Sequence, residues 1–198
     1  MLNADWKEVL FTDEKSFWLG QPSDSCWQQL DDRVEEELEQ YTPKLHVWGS
    51  IGYYFKTDLH FFEENMNAAL YQNIVSQRLP PNHFAPDCPE RYKNNWHFLQ
   101  DNDPKHKAKG SMKLLKKLTK LRMYRHPAKS PDLNVMEDVW SYLDRQVRAS
   151  KVTTINGLKK KLTKLWNNLS WTEFRPSVNS MPDRLRQCLK RRGGRTDY

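Results

Sequence analysis

The sequence predicts an α/β fold, a mixed sheet layered with helices. Three observations carry this: strand-type apolar runs come first, helix and strand patterns then alternate, and from Ser130 the pattern is helical to the end. The chain has 198 residues with 37% hydrophobic residues, including 8 Trp, 8 Tyr and 8 Phe, enough large side chains for one packed core and too many for a disordered chain. No apolar run approaches the roughly 18–20 residues of a membrane span, and the first twenty residues mix charge with apolarity, unlike a signal peptide. Cys26, Cys88 and Cys188 are odd in number and form no C-x-x-C pair, so a disulfide framework or zinc site is not expected, and an intracellular, reducing compartment is.

The elements follow in order. Residues 9–12 and 16–19 are β-prone runs separated by Asp13-Glu14 and read as two strands with a tight connection. Residues 31–39 form an acidic block, read as a surface insertion over 31–44. Residues 45–53 and 59–62 read as two further strands. Ala68, Leu70, Tyr71, Ile74, Val75 and Leu79 recur with a period near 3.6, predicting a helix over 67–79 that Pro80-Pro81 ends. After a loop over 82–95, residues 96–100 read as a short buried strand stopping at the turn-prone Asp101-Asn102-Asp103-Pro104. Residues 105–119 read as a basic helix with Met112, Leu115 and Leu118 on one side, and 121–124 as another strand. The helical remainder has breaks at Thr153-Thr154, Ser170, Pro176 and Pro182 and a stop at Gly193-Gly194, so 153–198 reads as a helical C-terminal extension. With no repeat or low-complexity tract, 1–198 is expected to be a single domain.

The net charge of +7 hides an asymmetry. Residues 1–101 carry 8 Lys and Arg against 17 Asp and Glu, whereas 102–198 carry 24 against 8, a half with net charge +16. Such a half suits a polyanion, which in an intracellular protein points to nucleic acid; solvated lysine-rich helix faces are the alternative.

Three carboxylates stand where chemistry could sit. Asp13 and Asp101 each follow a strand-type run, and strand ends present ligands to solvent, although for either aspartate taken alone a turn or capping role is the commoner reading. The third lies on a helix that can be drawn from the sequence. Ser130 is a natural N-cap, Pro131 suits the first helical position, and Leu133, Met136, Trp140, Leu143 and Val147 make one apolar stripe. At about 100° per residue, Glu137 falls at the margin of the buried face while Asp138 points away as an ordinary solvent residue. A boundary glutamate pairing with a lysine is the other reading of Glu137. Together the three would make an all-oxygen site suited to Mg²⁺, and two such ions clamp an in-line displacement at phosphorus.

The strings Val9-Leu10-Phe11-Thr12-Asp13-Glu14, Val47-Trp48-Gly49, Asn65-Met66-Asn67-Ala68-Ala69-Leu70-Tyr71, Leu99-Gln100-Asp101-Asn102-Asp103-Pro104-Lys105-His106 and Ser130-Pro131-Asp132-Leu133-Asn134-Val135-Met136-Glu137-Asp138-Val139-Trp140 resemble, in order, the catalytic (DDE) domain of Tc/mariner-type DNA transposases. The ending, from Ser180-Met181-Pro182 to Gly193-Gly194-Arg195-Thr196-Asp197-Tyr198, is also similar to that family's. The resemblance implies an RNase H-like fold. It also implies that an Asp, Asp and Glu bind two divalent ions, Mg²⁺ or Mn²⁺, cut DNA at transposon ends and join the freed 3′-hydroxyl to a new site, usually a TA dinucleotide. Matched residue by residue, that triad falls on Asp13, Asp101 and Glu137. His106 matches a histidine that the family often carries; with Asn102 it would support the metal ligands or touch DNA phosphate, while a plain turn histidine is the alternative. Lys105, Lys107, Lys109, Lys113, Lys116 and Lys129 would contact DNA backbone, the resemblance suggests a homodimer on DNA, and in a eukaryote the place of action would be the nucleus.

Some features depart from the family pattern. The 35 residues between Asp101 and Glu137 are one more than the commonest family spacing, which a longer loop near 126–129 would absorb. The acidic block replaces a segment in which relatives tend to carry Arg and Trp. The chain also begins about a dozen residues before Asp13, so the helix-turn-helix domains that the family places first are expected to be absent. Two other readings remain: a non-catalytic DNA-binding remnant, and a cellular RNase H-like nuclease.

Overall fold

Alternation along the strands builds the molecule. In the computed structural model, which describes residues 4–19, 43–120, 122–150 and 152–198, a 3-10 turn at Trp6–Glu8 leads into one ten-residue strand, β1 (Val9–Trp18). The two strands expected here are therefore one. The polar run from Asp13 to Ser16 reads as a turn but stays extended, because β2 (Lys44–Ile51) pairs antiparallel with it from Phe11↔Ile51 to Trp18↔Lys44. The acidic block lies outside the described residues, and Lys44, expected at the end of that insertion, already opens β2.

Two strands, one not expected and one expected over 59–62, complete this side. β3 (Phe55–Lys56) pairs with β2 at Ile51, and β4 (His60–Phe62) pairs with β2 near its start. Helix α1 (Ala68–Arg78) starts where the Asn67 side chain accepts the Leu70 N–H, and prolines follow it as expected. β5 (His83–Phe84) and the short α2 (Glu90–Lys93) occupy what reads as a loop. β6 (His97–Gln100) then runs parallel to β1 in the register Val9↔His97 to Phe11↔Leu99.

The expected basic helix is two: α3 (Pro104–Lys107), capped by the Asp103 carboxylate, and α4 (Lys109–Leu118), broken at Ala108. β7 (Met123–Arg125) pairs parallel with β6, and the sheet order is β5-β3-β2-β1-β6-β7, with β4 also on β2. The helical remainder comprises α5 (Met136–Arg148), α6 (Ile155–Asn168), α7 (Trp171–Asn179) and α8 (Met181–Lys190). Ser170 starts α7 through a capping box, but Pro176 lies inside α7 and Pro182 in the first turn of α8, so neither is a break.

Neighbouring strand residues feed opposite sides of the sheet. Phe11, Val47 and Leu99 pack with Trp140, Leu143 and Trp166, under α5 to α7. Leu10, Trp48 and Phe98 pack with Tyr71, Ile74 and Leu115, under α1 and α4. The sheet is thus sandwiched between two helical layers. Among the described residues no helix is long and apolar enough to cross a membrane, and Cys88 and Cys188 are free; Cys26 lies outside them.

Candidate active site

The parallel ladder between β1 and β6 ends at Phe11↔Leu99, where the Thr12 hydroxyl donates to the Leu99 carbonyl at 3.0 Å. Continued by two residues, that register sets Asp13 beside Asp101. Asp101 is the first residue beyond β6, whereas Asp13 sits within β1 and not at its end.

On its other side Asp13 faces Gly49 of β2, and the missing side chain has a use. A Cβ at Gly49 would stand 2.9 Å from Leu59 Cδ2 and 3.2 Å from the Trp140 ring, so the bare position lets that fully buried indole lie close to the sheet. Trp140 Nε1 donates to Asp13 Oδ2 at 3.0 Å. The start of α5 is tied to the same strand by Asn134, whose Nδ2 donates to the Thr12 carbonyl at 3.3 Å and whose Oδ1 accepts the Met136 N–H. Ser130 does not cap this helix: Pro131–Leu133 forms a separate 3-10 turn, and α5 begins only at Met136. The apolar stripe through Leu133, Met136, Trp140, Leu143 and Val147 is buried as expected, and Glu137 stands half-buried in the first turn of α5.

Asp13, Asp101 and Glu137 line one cleft of about 340 Å³, together with Asn102, Asp103, His126, Lys129, Ser130 and Asn134. Burial, then the charges of Glu137 and Glu14, push the Asp13 carboxyl up to about 8. Asp101 is the opposite case. The His106 side chain, whose Nδ1 lies 2.5 Å from Asp101 Oδ1, and the Asp103 N–H on the same oxygen hold it down at about 2.

His106 itself is buried, which alone would lower its pKa. Hydrogen bonds to Asp101 and, through Nε2 at 2.9 Å, to Glu14 Oε1 outweigh that and raise it to about 9. It is not a turn histidine but a charged link between two carboxylates, with the Tyr71 ring 4.2 Å away. Asn102 Nδ2 donates to the His126 carbonyl at 2.6 Å, and His126 Nε2 reaches the Ser130 carbonyl at 2.9 Å, so the ends of β6 and β7 and the loop before Pro131 are joined.

The expected DNA-contacting lysines divide. Lys105 is drawn into the interior network, 2.6 Å from Asp103 and 3.3 Å from Glu14, whereas Lys107, Lys109, Lys113, Lys116 and Lys129 are exposed. Asp138 is not an ordinary solvent residue. Its Oδ2 accepts from Arg184 of α8 at 2.5 Å, because a helix 46 residues later covers the face that points away from the stripe. Glu14, Asn134, Trp140 and Arg184 were all missed as site residues. Only Glu14 had a signal within reach of sequence: in a continuous strand it must face opposite to Asp13.

The all-oxygen donor set and the raised pKa of Asp13 fit divalent cations, whose charge would relieve the crowding of Asp13 and Glu137. Among the described residues, however, no group of three or more His, Cys, Asp or Glu side chains is arranged to hold an ion as it stands.

A family model described as DDE superfamily endonuclease matches residues 8–159. The chain belongs to that family. The chain is 29% identical over 206 residues to the Tc3 transposase of Caenorhabditis elegans, covering 100% of this chain and 60% of that protein. Over 201 residues it is 24% identical to the Tcb1 transposase of Caenorhabditis briggsae, covering 98% and 71%. The chain thus spans about three fifths of the length of Tc3 transposase. Among solved structures, the Mos1 transposase paired-end complex with the left transposon end superposes with a TM-score of 0.75 at 16% identity, covering 98% of this chain and 57% of that one. The isolated catalytic domain of Mos1 mariner transposase gives 0.73 at 17%, covering 98% and 87%. The fold of the chain is therefore the RNase H-like mixed sheet of that catalytic domain, with a helical C-terminal region.

Proposed function

We propose that residues 1–198 form a transposase catalytic domain that cleaves DNA strands and joins 3′-hydroxyl ends to new sites by in-line phosphoryl transfer. One observation carries the reading: carboxylates delivered from β1, from the end of β6 and from the first turn of α5 line a single cleft. Asp13, Asp101 and Glu137 are the residues that would hold two Mg²⁺ or Mn²⁺ ions. When bound, such ions activate the attacking oxygen and stabilise the leaving oxygen. Mariner Mos1 paired-end complexes have been solved with Mg and with Mn, which supports the same choice here.

The chain's own residues do the placing. Trp140 holds Asp13 by a neutral donor and leaves it anionic once a cation offsets Glu137, while His106 keeps Asp101 ionised and turned. Lys129 on the cleft wall, with Lys107, Lys109, Lys113 and Lys116 outside it, would meet backbone phosphates, a role supported by the basic second half. Transposon ends and a TA target as substrates, a homodimer on DNA, and a nuclear place of action belong to the same reading and rest on the family.

The test is cleavage and strand transfer on pre-cut DNA ends in Mg²⁺ or Mn²⁺. The wild type should cut and join, and Asp13→Asn, Asp101→Asn and Glu137→Gln should each lose nearly all activity while still binding DNA. A wild type that binds but never cuts would be a DNA-binding remnant, and preferential cutting of RNA in hybrids would make it a nuclease of another kind.

A further inference from the structure

The first turn of α5 is gripped from outside the segment that the family model covers. We propose that Arg184 and the C-terminal tail form a clamp that sets the position of Glu137, so that the working catalytic unit runs to Tyr198. The inference rests on Glu137 acting as a metal ligand.

Arg184 is only 2% exposed, and its donors are spent on one purpose. Nη1 donates to the Asp132 carbonyl at 2.8 Å and Nη2 to Asp138 Oδ2 at 2.5 Å, while Nε is held by the Ser180 hydroxyl at 2.8 Å. Asp132 belongs to the 3-10 turn that leads into α5, and Asp138 directly follows Glu137. A planar guanidinium fixes the spacing of its donors, so gripping both sides fixes what lies between them.

The tail closes the grip. After α8 the backbone turns at Gly193, where φ is +91°, a conformation that glycine adopts freely. Arg191 then binds the Arg195 carbonyl at 2.6 Å and the Asp197 carboxylate at 2.6 and 2.7 Å, and the Thr196 N–H donates to Asp132 Oδ2 at 2.8 Å. The Tyr198 ring covers the Arg184 guanidinium at 4.5 Å. Asp132 is thus held through its carbonyl by α8 and through its carboxylate by the tail. Glu137 lines the catalytic cleft on one side and, on the other, a second cleft of about 340 Å³ walled by Asp132, Asp138, Arg184, Arg195 and Tyr198. The clamp is the support behind the third carboxylate, which makes Arg184 a positioning residue.

The experiment compares the full chain with Arg184→Lys, which cannot fork, with a chain ending at Gly194, and with Lys190→Gln as an exposed control on α8. Hydrogen–deuterium exchange of the metal-free proteins should show amides of residues 130–139 exchanging about ten-fold faster in the first two variants, with 9–18 and 97–101 unchanged. Their kcat for Mn²⁺-dependent cleavage should fall about 100-fold with KM for DNA unchanged, the effect of misplacing one ligand by about an ångström. Lys190→Gln should match wild type in both. Unchanged exchange over 130–139, or equal acceleration throughout the protein, would overturn the clamp. A wild type without cleavage would instead overturn the catalytic reading, and the exchange comparison would still decide whether the clamp exists.

Discussion

His106 Nδ1 lies 2.5 Å from Asp101 Oδ1, and the same ring reaches Glu14 with its other nitrogen, so one buried imidazolium ties α3 to both β1 and the end of β6. Its folded pKa of about 9 exceeds the unfolded 6.5, so its stabilisation is complete below about pH 6.5 and is lost as pH rises through 9. Asp101, held at about 2, stabilises above its unfolded 3.8 and ceases to as pH falls through 2. In the metal-free protein the pair should therefore contribute most between about pH 4 and 6.5. Thermal melts of wild type and His106→Gln across pH 3 to 10 test this. The wild type should lose more Tm than the variant between pH 6.5 and 9, and parallel curves would contradict it.

Trp140→Phe removes the donor to Asp13 while keeping an aromatic ring in the core. The lost bond and the space left behind should cost about 2–4 kcal/mol of stability. Since the indole bond favours the carboxylate, its loss should raise the Asp13 pKa further and weaken cation binding. The Mn²⁺ concentration giving half-maximal cleavage should rise about 10-fold or more, as with other groups that orient metal ligands. An unchanged Mn²⁺ requirement would show that the contact is only packing.

Gly49→Ala should act on the same carboxylate through the same indole. The added methyl would press on Leu59 Cδ2 and the Trp140 ring, costing about 1–3 kcal/mol as overpacking. Leu59 can turn aside, but the indole is wedged against Trp166, with ring centroids 6.2 Å apart, so the cleavage defect should resemble that of Trp140→Phe. Urea unfolding and Mn²⁺ titration of cleavage measure the two effects separately.

Lys56 offers a prediction remote from the cleft. Its buried ammonium donates to the Trp166 carbonyl at 2.8 Å and the Leu169 carbonyl at 3.3 Å, closing the C-terminal end of α6. Burial pushes its pKa down, yet the carbonyls would otherwise lack this donor. Lys56→Met should cost about 1–3 kcal/mol in urea unfolding and leave the Mn²⁺ requirement for cleavage unchanged. A stabilised Lys56→Met protein would mean that desolvation of the charge outweighs the cap.

What could be read from the sequence followed periodicity. The stripe on α5 and the face of α1 that buries Tyr71, Ile74 and Val75 repeat often enough to be seen, and Glu137 could be placed from its angle to the stripe. Asp138 could not be read that way, because its environment is made by Arg184, whose position depends on how α8 folds back. β3 and β5, with two residues each, have no period to detect and exist through pairing with their neighbours. The join between the expected halves of β1 was hidden for a chemical reason: Asp13 and Glu14 look like a turn because they are polar, and they are polar because each serves a carboxylate network.

Those two neighbours leave β1 on opposite faces, Asp13 toward Trp140 and Glu14 toward His106. Replacing either side chain injures one network, but losing or gaining a single codon upstream, within residues 9–12, would injure both together. The strand could keep its pairing with β2 by sliding one place, and every side chain beyond the change would then exchange faces. A loss would set Glu14 before the indole and Lys15 before the imidazole, and a gain would set Thr12 before the indole and Asp13 before the imidazole, so each contact meets a side chain of the wrong length or charge. Indels of one residue in this stretch should therefore be far more damaging than any point substitution there, and indels of two should restore the facing while shifting the carboxylates along the cleft by one pleat.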